Sequence, residues 1–114
     1  MRNNAPEKDG GSESVILHAA SGNDRKISFV HLNGSCLSLN YNFFIWHEYH
    51  ADQSTLLLGF SSHLITLSGL RMDKLFEAFD QQLPQRIICK DVRYNSLVEG
   101  DKPIVNEIQV TSKS

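Results

Sequence analysis

A single stretch of helical periodicity among β-rich segments constrains the fold of this chain more than any other feature. Five large apolar residues recur at helical spacing and form one stripe, namely Met72, Leu75, Phe76, Phe79 and Leu83. Pro84 ends this pattern, because the residue before a proline is pushed out of the helical region. The sequence therefore predicts one amphipathic helix over about residues 70–83, with Ser68 as its N-cap.

Short runs of β-branched, aliphatic and aromatic residues lie before and after this helix. Asn33-Gly34 separates two of them, and Asn-Gly is the strongest short signal for a β-hairpin. We predict strands at about residues 15–19, 27–32, 36–39, 43–50, 55–60, 63–68, 86–91 and 104–110. A run of strands before one helix is typical of an α+β fold. We expect a mainly antiparallel β-meander of about six to eight strands, with the helix between the late strands.

Polar segments without apolar periodicity flank this pattern. They predict a flexible tail over residues 1–13, a single α+β domain over 14–110 and a second tail over 111–114. An apolar fraction of 40% and a charged fraction of 21% exclude a chain that is disordered throughout. No apolar run reaches the roughly 18–20 residues that cross a bilayer, and no secretory signal is present. We expect a cytoplasmic protein without a membrane partner.

The two cysteines, Cys36 and Cys89, each lie inside a short apolar stretch. Two cysteines do not form the disulfide framework that stabilises small secreted domains. We expect reduced thiols in core or near-core positions, and a single Cys36–Cys89 bridge is the alternative.

The charge balance bears on nucleic-acid binding. A formal net charge of −2 argues against binding of long nucleic acid through bulk electrostatics. One modest basic patch stands out, formed by Arg86, Lys90 and Arg93, with Tyr94 beside it. A solvated strand face is the simpler interpretation, and contact with a phosphate, an acidic partner or an RNA base is the alternative.

The segment 43–50 is dense in aromatic residues. Strand alternation divides it into one face with Phe43, Ile45, His47 and Tyr49 and another with Phe44, Trp46, Glu48 and His50. Neither face is polar throughout. We therefore expect the core to cover one face, and a loop, a helix or a partner chain to cover the other.

Three functional hypotheses follow from the sequence. Two rest on this segment, because aromatic residues are enriched in interface cores and in pockets alike, and the third rests on the basic patch. The one we favour is a non-enzymatic binding or adaptor module that self-associates, most simply as a dimer. The second is a small-ligand-binding protein or enzyme whose pocket is lined by Trp46, Glu48, His50 and His63. The third is a small β-barrel-like RNA-binding protein.

Motifs for catalysis or metal binding are missing from the sequence. The segment His47-Glu48-Tyr49-His50 lacks the spacing of a helical His-Glu-x-x-His motif, and positions i and i+3 of a strand face opposite sides. There is no Gly-x-Ser-x-Gly elbow and no glycine-rich phosphate loop. We predict no metal site and no cofactor, and we assign no catalytic residue.

One part of the chain resembles a family of small uncharacterised bacterial proteins. The residues that carry the resemblance are Leu64-Ile65-Thr66-Leu67-Ser68-Gly69, Met72, Leu75-Phe76, Ala78-Phe79 and Arg86-Ile87. In that family a strand ends in glycine, a helix follows, and a strand comes next. The closing strand at 104–110 is also similar, so the resemblance covers about residues 55–110. It implies a strand–helix–strand arrangement and carries no established activity or functional residue.

Overall fold

The computed structural model describes residues 13–18, 25–97 and 100–113. Within these ranges the chain forms eight strands and one α-helix. They are β1 (Val15–Leu17), β2 (Lys26–Val30), β3 (Cys36–Asn40), β4 (Phe44–His50), β5 (Thr55–Phe60), β6 (His63–Leu70), α1 (Met72–Asp80), β7 (Pro84–Ile88) and β8 (Ile104–Ser112). Short 3-10 turns lie at Tyr41–Phe43, Ala51–Gln53 and Val92–Leu97. The tail predicted over residues 1–13 lies outside the described residues except for Glu13.

The strands form two four-stranded sheets. Sheet A has the order β1-β7-β2-β3, and sheet B has the order β4-β5-β6-β8. The α+β class, the mainly antiparallel pairing and the strand number are as predicted. The single meander is wrong, because β7 returns to sheet A after the helix and pairs parallel with β2. Local residue patterns do not encode which strands pair over such a distance along the chain.

The core lies between the two sheets and under the helix. Phe29 of β2 and Phe60 of β5 meet edge-to-face across it, with ring centroids 6.3 Å apart. Alternation along the strands buries one side of each sheet, as in Ile27 and Phe29 of β2 or Ile65 and Leu67 of β6. Helix α1 packs against β4 and β5 of sheet B.

Helix α1 buries most of the predicted stripe but ends at Asp80, so Leu83 lies beyond it. Met72, Leu75 and Phe79 are buried. Ser68 is not the N-cap, because β6 continues to Leu70 and pairs there with β8. Arg71, in the left-handed conformation with φ 57°, precedes the helix without a side-chain cap.

The strand boundaries differ from the predictions in both directions, and long-range pairing lengthens β6 and β8. The β2–β3 hairpin around Gly34 is confirmed, and Gly34 has the positive φ of 91° that a glycine accommodates easily. β8 runs to Ser112, because Thr111 and Ser112 pair with the start of β6. These two residues therefore belong to sheet B and not to the predicted tail over 111–114. β7 occupies 84–88, where a strand over 86–91 was predicted.

Ser14 connects the two sheets. It is 3% exposed, and its Oγ donates a hydrogen bond to the carbonyl of Ile88 at 2.7 Å. The same Oγ accepts a hydrogen bond from the N–H of Val105 at 2.8 Å. The Ser14 carbonyl also accepts from the N–H of Ile88 at 2.7 Å. One small side chain thus joins the end of β7 in sheet A to the start of β8 in sheet B.

Both cysteines are free thiols, so the alternative of a Cys36–Cys89 bridge is wrong. Cys89 is buried as expected, and its burial raises the pKa of its thiol. Cys36 is exposed, which contradicts the predicted core or near-core position. The reason is that β3 is an edge strand of sheet A, and Cys36 lies on its solvent side.

Candidate functional site

A β-bulge divides the aromatic strand β4. Phe44 lies opposite Phe60 and Trp46 lies opposite Gly59, so Ile45 is the extra residue. The bulge changes which residues share a face, and simple alternation holds only beyond it. Phe44 therefore faces the interior, although the sequence pattern placed it with Trp46.

The inner side of β4 packs against α1. The His47 ring centroid lies 4.4 Å from that of Phe76, and the Phe44 and Phe79 centroids are 5.7 Å apart. His47 Nε2 also lies 2.9 Å from Oδ1 of Asp80, at the end of the helix. The inner side chains therefore anchor the helix and have a structural role.

The outer side of β4 presents a flat indole. Trp46 lies directly over Gly59, where a β-carbon would overlap the indole atoms Cε2 and Nε1. Only glycine at position 59 therefore permits this placement. Half-buried Leu57 and Leu64 flank Gly59 on the same face of sheet B. The indole thus extends a partly apolar surface and is itself 40% exposed.

The four residues of the predicted ligand pocket are only partly brought together. Trp46, Glu48 and His50 occupy alternate outward positions of β4, and His50 Nε2 lies 2.9 Å from Glu48 Oε2. His63 shares its strand parity with buried Ile65, so it lies on the opposite side of the sheet. Its Nδ1 is 2.7 Å from the hydroxyl of Ser62. A ligand site formed by the four residues stays a prediction.

An apolar patch lies at one end of β4, the outer edge strand of sheet B. Phe43 is 55% exposed, Ile45 is 66% exposed, and Trp46 follows directly. We call these three residues the β4 patch. Large apolar side chains clustered at an edge strand are typical of a contact surface.

The predicted basic patch is distributed over different elements. Arg86 is exposed on β7 and lies beside Ser28 in sheet A. Lys90 lies beyond the end of β7, where its N–H donates to the carbonyl of Val105 at 2.8 Å. Arg93 lies in the following 3-10 turn, with its guanidinium carbon 5.7 Å from the ring centroid of Tyr94. Arg93 is therefore close to an exposed aromatic ring.

A pocket of about 440 Å³ lies between β1, α1 and the segment that leads into β8. Its walls include Leu17, Lys74 and Lys102. No sequence pattern indicated this pocket, because these residues are far apart along the chain and belong to no motif. The only local signal is Ala78, a small residue on the apolar side of the helix.

Two further observations limit what the molecule holds. Over residues 13–18, 25–97 and 100–113, no group of three or more His, Cys, Asp or Glu side chains is placed to hold a metal ion. The helix in the same part of the chain is too short and too polar to span a membrane.

Comparisons with protein-family models, with curated proteins and with solved structures give no match to this chain. A functional proposal must therefore come from the geometry alone.

Proposed function

We propose that this protein is a cytoplasmic, non-enzymatic interaction module that forms a homodimer through the β4 patch. The observation that carries this proposal is the exposure of Phe43, Ile45 and Trp46 at one end of an edge strand. Their exposed fractions are large for side chains of this size. Covering them removes apolar surface from water, which drives association.

The area of the β4 patch is consistent with a weak dimer. Each side chain exposes about 100 Å², so one copy presents roughly 300 Å² of apolar surface. Burying both copies of the patch contributes on the order of 15 kcal/mol before costs, at about 25 cal/mol per Å². Association costs about 4–15 kcal/mol in lost freedom. We therefore expect a dimer that forms at micromolar concentrations.

A second copy fits this surface better than a nucleic acid. Glu48 and Glu107 lie on the same outer face of sheet B as Trp46, and His50 is paired with Glu48. These carboxylates repel a phosphate backbone. An apolar patch is complementary to itself, as a two-fold symmetric interface requires. The alternative of RNA binding finds no comparable support, because Arg86 lies on the other sheet.

Sedimentation velocity across the micromolar range tests the proposal with two matched variants. Ile45→Glu places a charge in the β4 patch, and we expect it to remain a monomer where the unchanged protein dimerises. Leu32→Glu is the control, because Leu32 is 63% exposed, close to the 66% of Ile45, but lies in the β2–β3 turn. A monomeric unchanged protein, or equal effects of the two variants, would contradict the proposal.

A further inference from the structure

We propose that the pocket between β1, α1 and the segment before β8 binds a monomeric amphiphilic carboxylate. The hydrocarbon chain of this ligand lies inside the pocket, and its carboxylate lies at two lysines at the mouth. This site shares no residue with the β4 patch, so the inference does not depend on the proposed dimer.

The walls of the pocket are apolar. Three elements contribute two residues each, namely Val15 and Leu17, Leu75 and Ala78, and Pro103 and Ile104. Leu75 and Ile104 belong to the core, with 0% and 1% exposure. Leu17 is 48% exposed although it lines the same wall. A bound hydrocarbon chain would cover this leucine.

The small side chain of Ala78 contributes to the space. It lines the pocket from α1 at the flank of the apolar stripe, one turn after Leu75. A larger residue at position 78 would extend into the cavity and reduce its volume. A larger side chain at position 78 would therefore fill the pocket and leave the residues at its mouth unchanged.

The volume of the pocket sets the size of the ligand. A volume of 440 Å³ is within the range of ligand pockets, which runs from about 300 to 1,000 Å³. A group of the size of a water molecule occupies about 30 Å³ in a liquid. A partly filled pocket thus accommodates roughly ten heavy atoms. This matches a saturated carboxylate of about eight to ten carbons.

The charges at the mouth favour an anionic head group. Lys74, Lys102 and Glu13 all line the pocket, and Lys102 Nζ lies 3.1 Å from Oε2 of Glu13. Lys74 is exposed, and no ion pair within 4.0 Å is formed by its ammonium in the described part of the chain. The charges of Lys74, Lys102 and Glu13 sum to one net positive charge. A singly charged carboxylate balances this charge better than a phosphate monoester does. A cationic head group would be repelled.

The polar atoms inside the pocket do not compete for this role. Ser14 lines the pocket, but its hydroxyl already donates to the carbonyl of Ile88 and accepts from the N–H of Val105. Its proton and one lone pair are thus already used. Recognition of the head group therefore falls to the lysines at the mouth, and the interior contributes apolar contact.

Isothermal titration calorimetry with decanoate, below the concentration at which it forms micelles, tests the proposal on the whole chain of 114 residues. We expect saturable binding of decanoate, weaker binding of decan-1-ol, and no binding of acetate or decyltrimethylammonium. Chemical-shift changes in NMR spectra should map to β1, α1 and Pro103–Ile104. Equal binding of decanoate and decyltrimethylammonium, or no saturable binding of decanoate, would overturn the proposal.

Three variants test the mouth and the interior of the pocket separately. Lys74→Glu should weaken decanoate binding by about tenfold or more and leave decan-1-ol binding unchanged, because it reverses one charge at the mouth. Lys26→Glu is the matched control on sheet A and should bind like the unchanged protein. Ala78→Phe fills the pocket and should abolish binding of both ligands.

Circular dichroism shows whether each variant is folded. If Ala78→Phe does not fold, Lys74→Glu and its control still decide the question, because both changes lie on the surface. Decanoate binding that Lys74→Glu does not weaken would refute the site. Ile45→Glu should bind decanoate normally, so failure of the proposed dimer and failure of this site are distinguishable.

Discussion

The hydroxyl of Ser14 makes a bridge whose removal should be costly. Ser14→Ala deletes one oxygen and leaves the backbone bond between the Ser14 carbonyl and the Ile88 N–H in place. The change leaves the Val105 N–H and the Ile88 carbonyl without the partner that they share. Val105 is 0% exposed, so water does not readily replace the lost acceptor.

The size of the effect follows from these two hydrogen bonds. Each neutral hydrogen bond contributes about 1 kcal/mol net, and a buried donor left unsatisfied costs about 1–3 kcal/mol. We expect Ser14→Ala to lower the free energy of unfolding by about 2–4 kcal/mol. For a domain of this size that corresponds to a fall in Tm of roughly 8–16 °C.

Urea denaturation followed by far-UV circular dichroism measures this change. Ser38→Ala is the matched control, because the Ser38 hydroxyl makes a single exposed hydrogen bond to Ser28 at 2.6 Å. We expect the control to lose less than about 0.5 kcal/mol, as most surface substitutions do. A Ser14→Ala protein as stable as Ser38→Ala would refute the inference that Ser14 connects the sheets.

Three other predictions concern backbone space, a buried phenol and thiol reactivity. Gly69→Ala places a β-carbon against the carbonyl oxygen of Ile104, so β6 and β8 must move apart, and urea denaturation should show a loss of at least about 2 kcal/mol. Burial raises the pKa of Tyr41, so the folded state keeps a proton that the unfolded chain loses above about pH 10. Stability should therefore fall above that pH in the unchanged protein and fall less in Tyr41→Phe, and equal pH profiles from denaturation would contradict this. Mass spectrometry should find exposed Cys36 alkylated in the native state and buried Cys89 only after unfolding, and equal rates would show that Cys89 is accessible.

Much of the local structure could be predicted from the sequence. The stripe of α1 and the turn at Gly34 were identified because their signals lie within a few residues of each other. The N-cap at Ser68 failed, since pairing of β6 with β8 competes with capping and extends the strand to Leu70. The exposure of Cys36 was missed, because an edge strand has the same local pattern as an inner one.

The candidate surfaces, too, could be predicted from the sequence only in part. The sequence singled out the aromatic segment 43–50, and the β4 patch lies at its start. The bulge at Ile45 was not foreseen, although it decides that Phe44 packs inward and Trp46 lies outward. The pocket beside β1 was missed entirely, since Leu17, Lys74 and Lys102 meet only in the folded chain.

Local sequence was enough to specify the elements, namely one amphipathic helix, a set of short strands and a tight hairpin. These depend on periodicity and turn chemistry, which act over a few residues. Their arrangement emerged only in the folded chain, where β7 lies between β1 and β2, Ser14 joins Ile88 to Val105, and a pocket opens beside β1. Pairing and packing energies arise between residues distant in sequence, and no local pattern records which of these contacts will form.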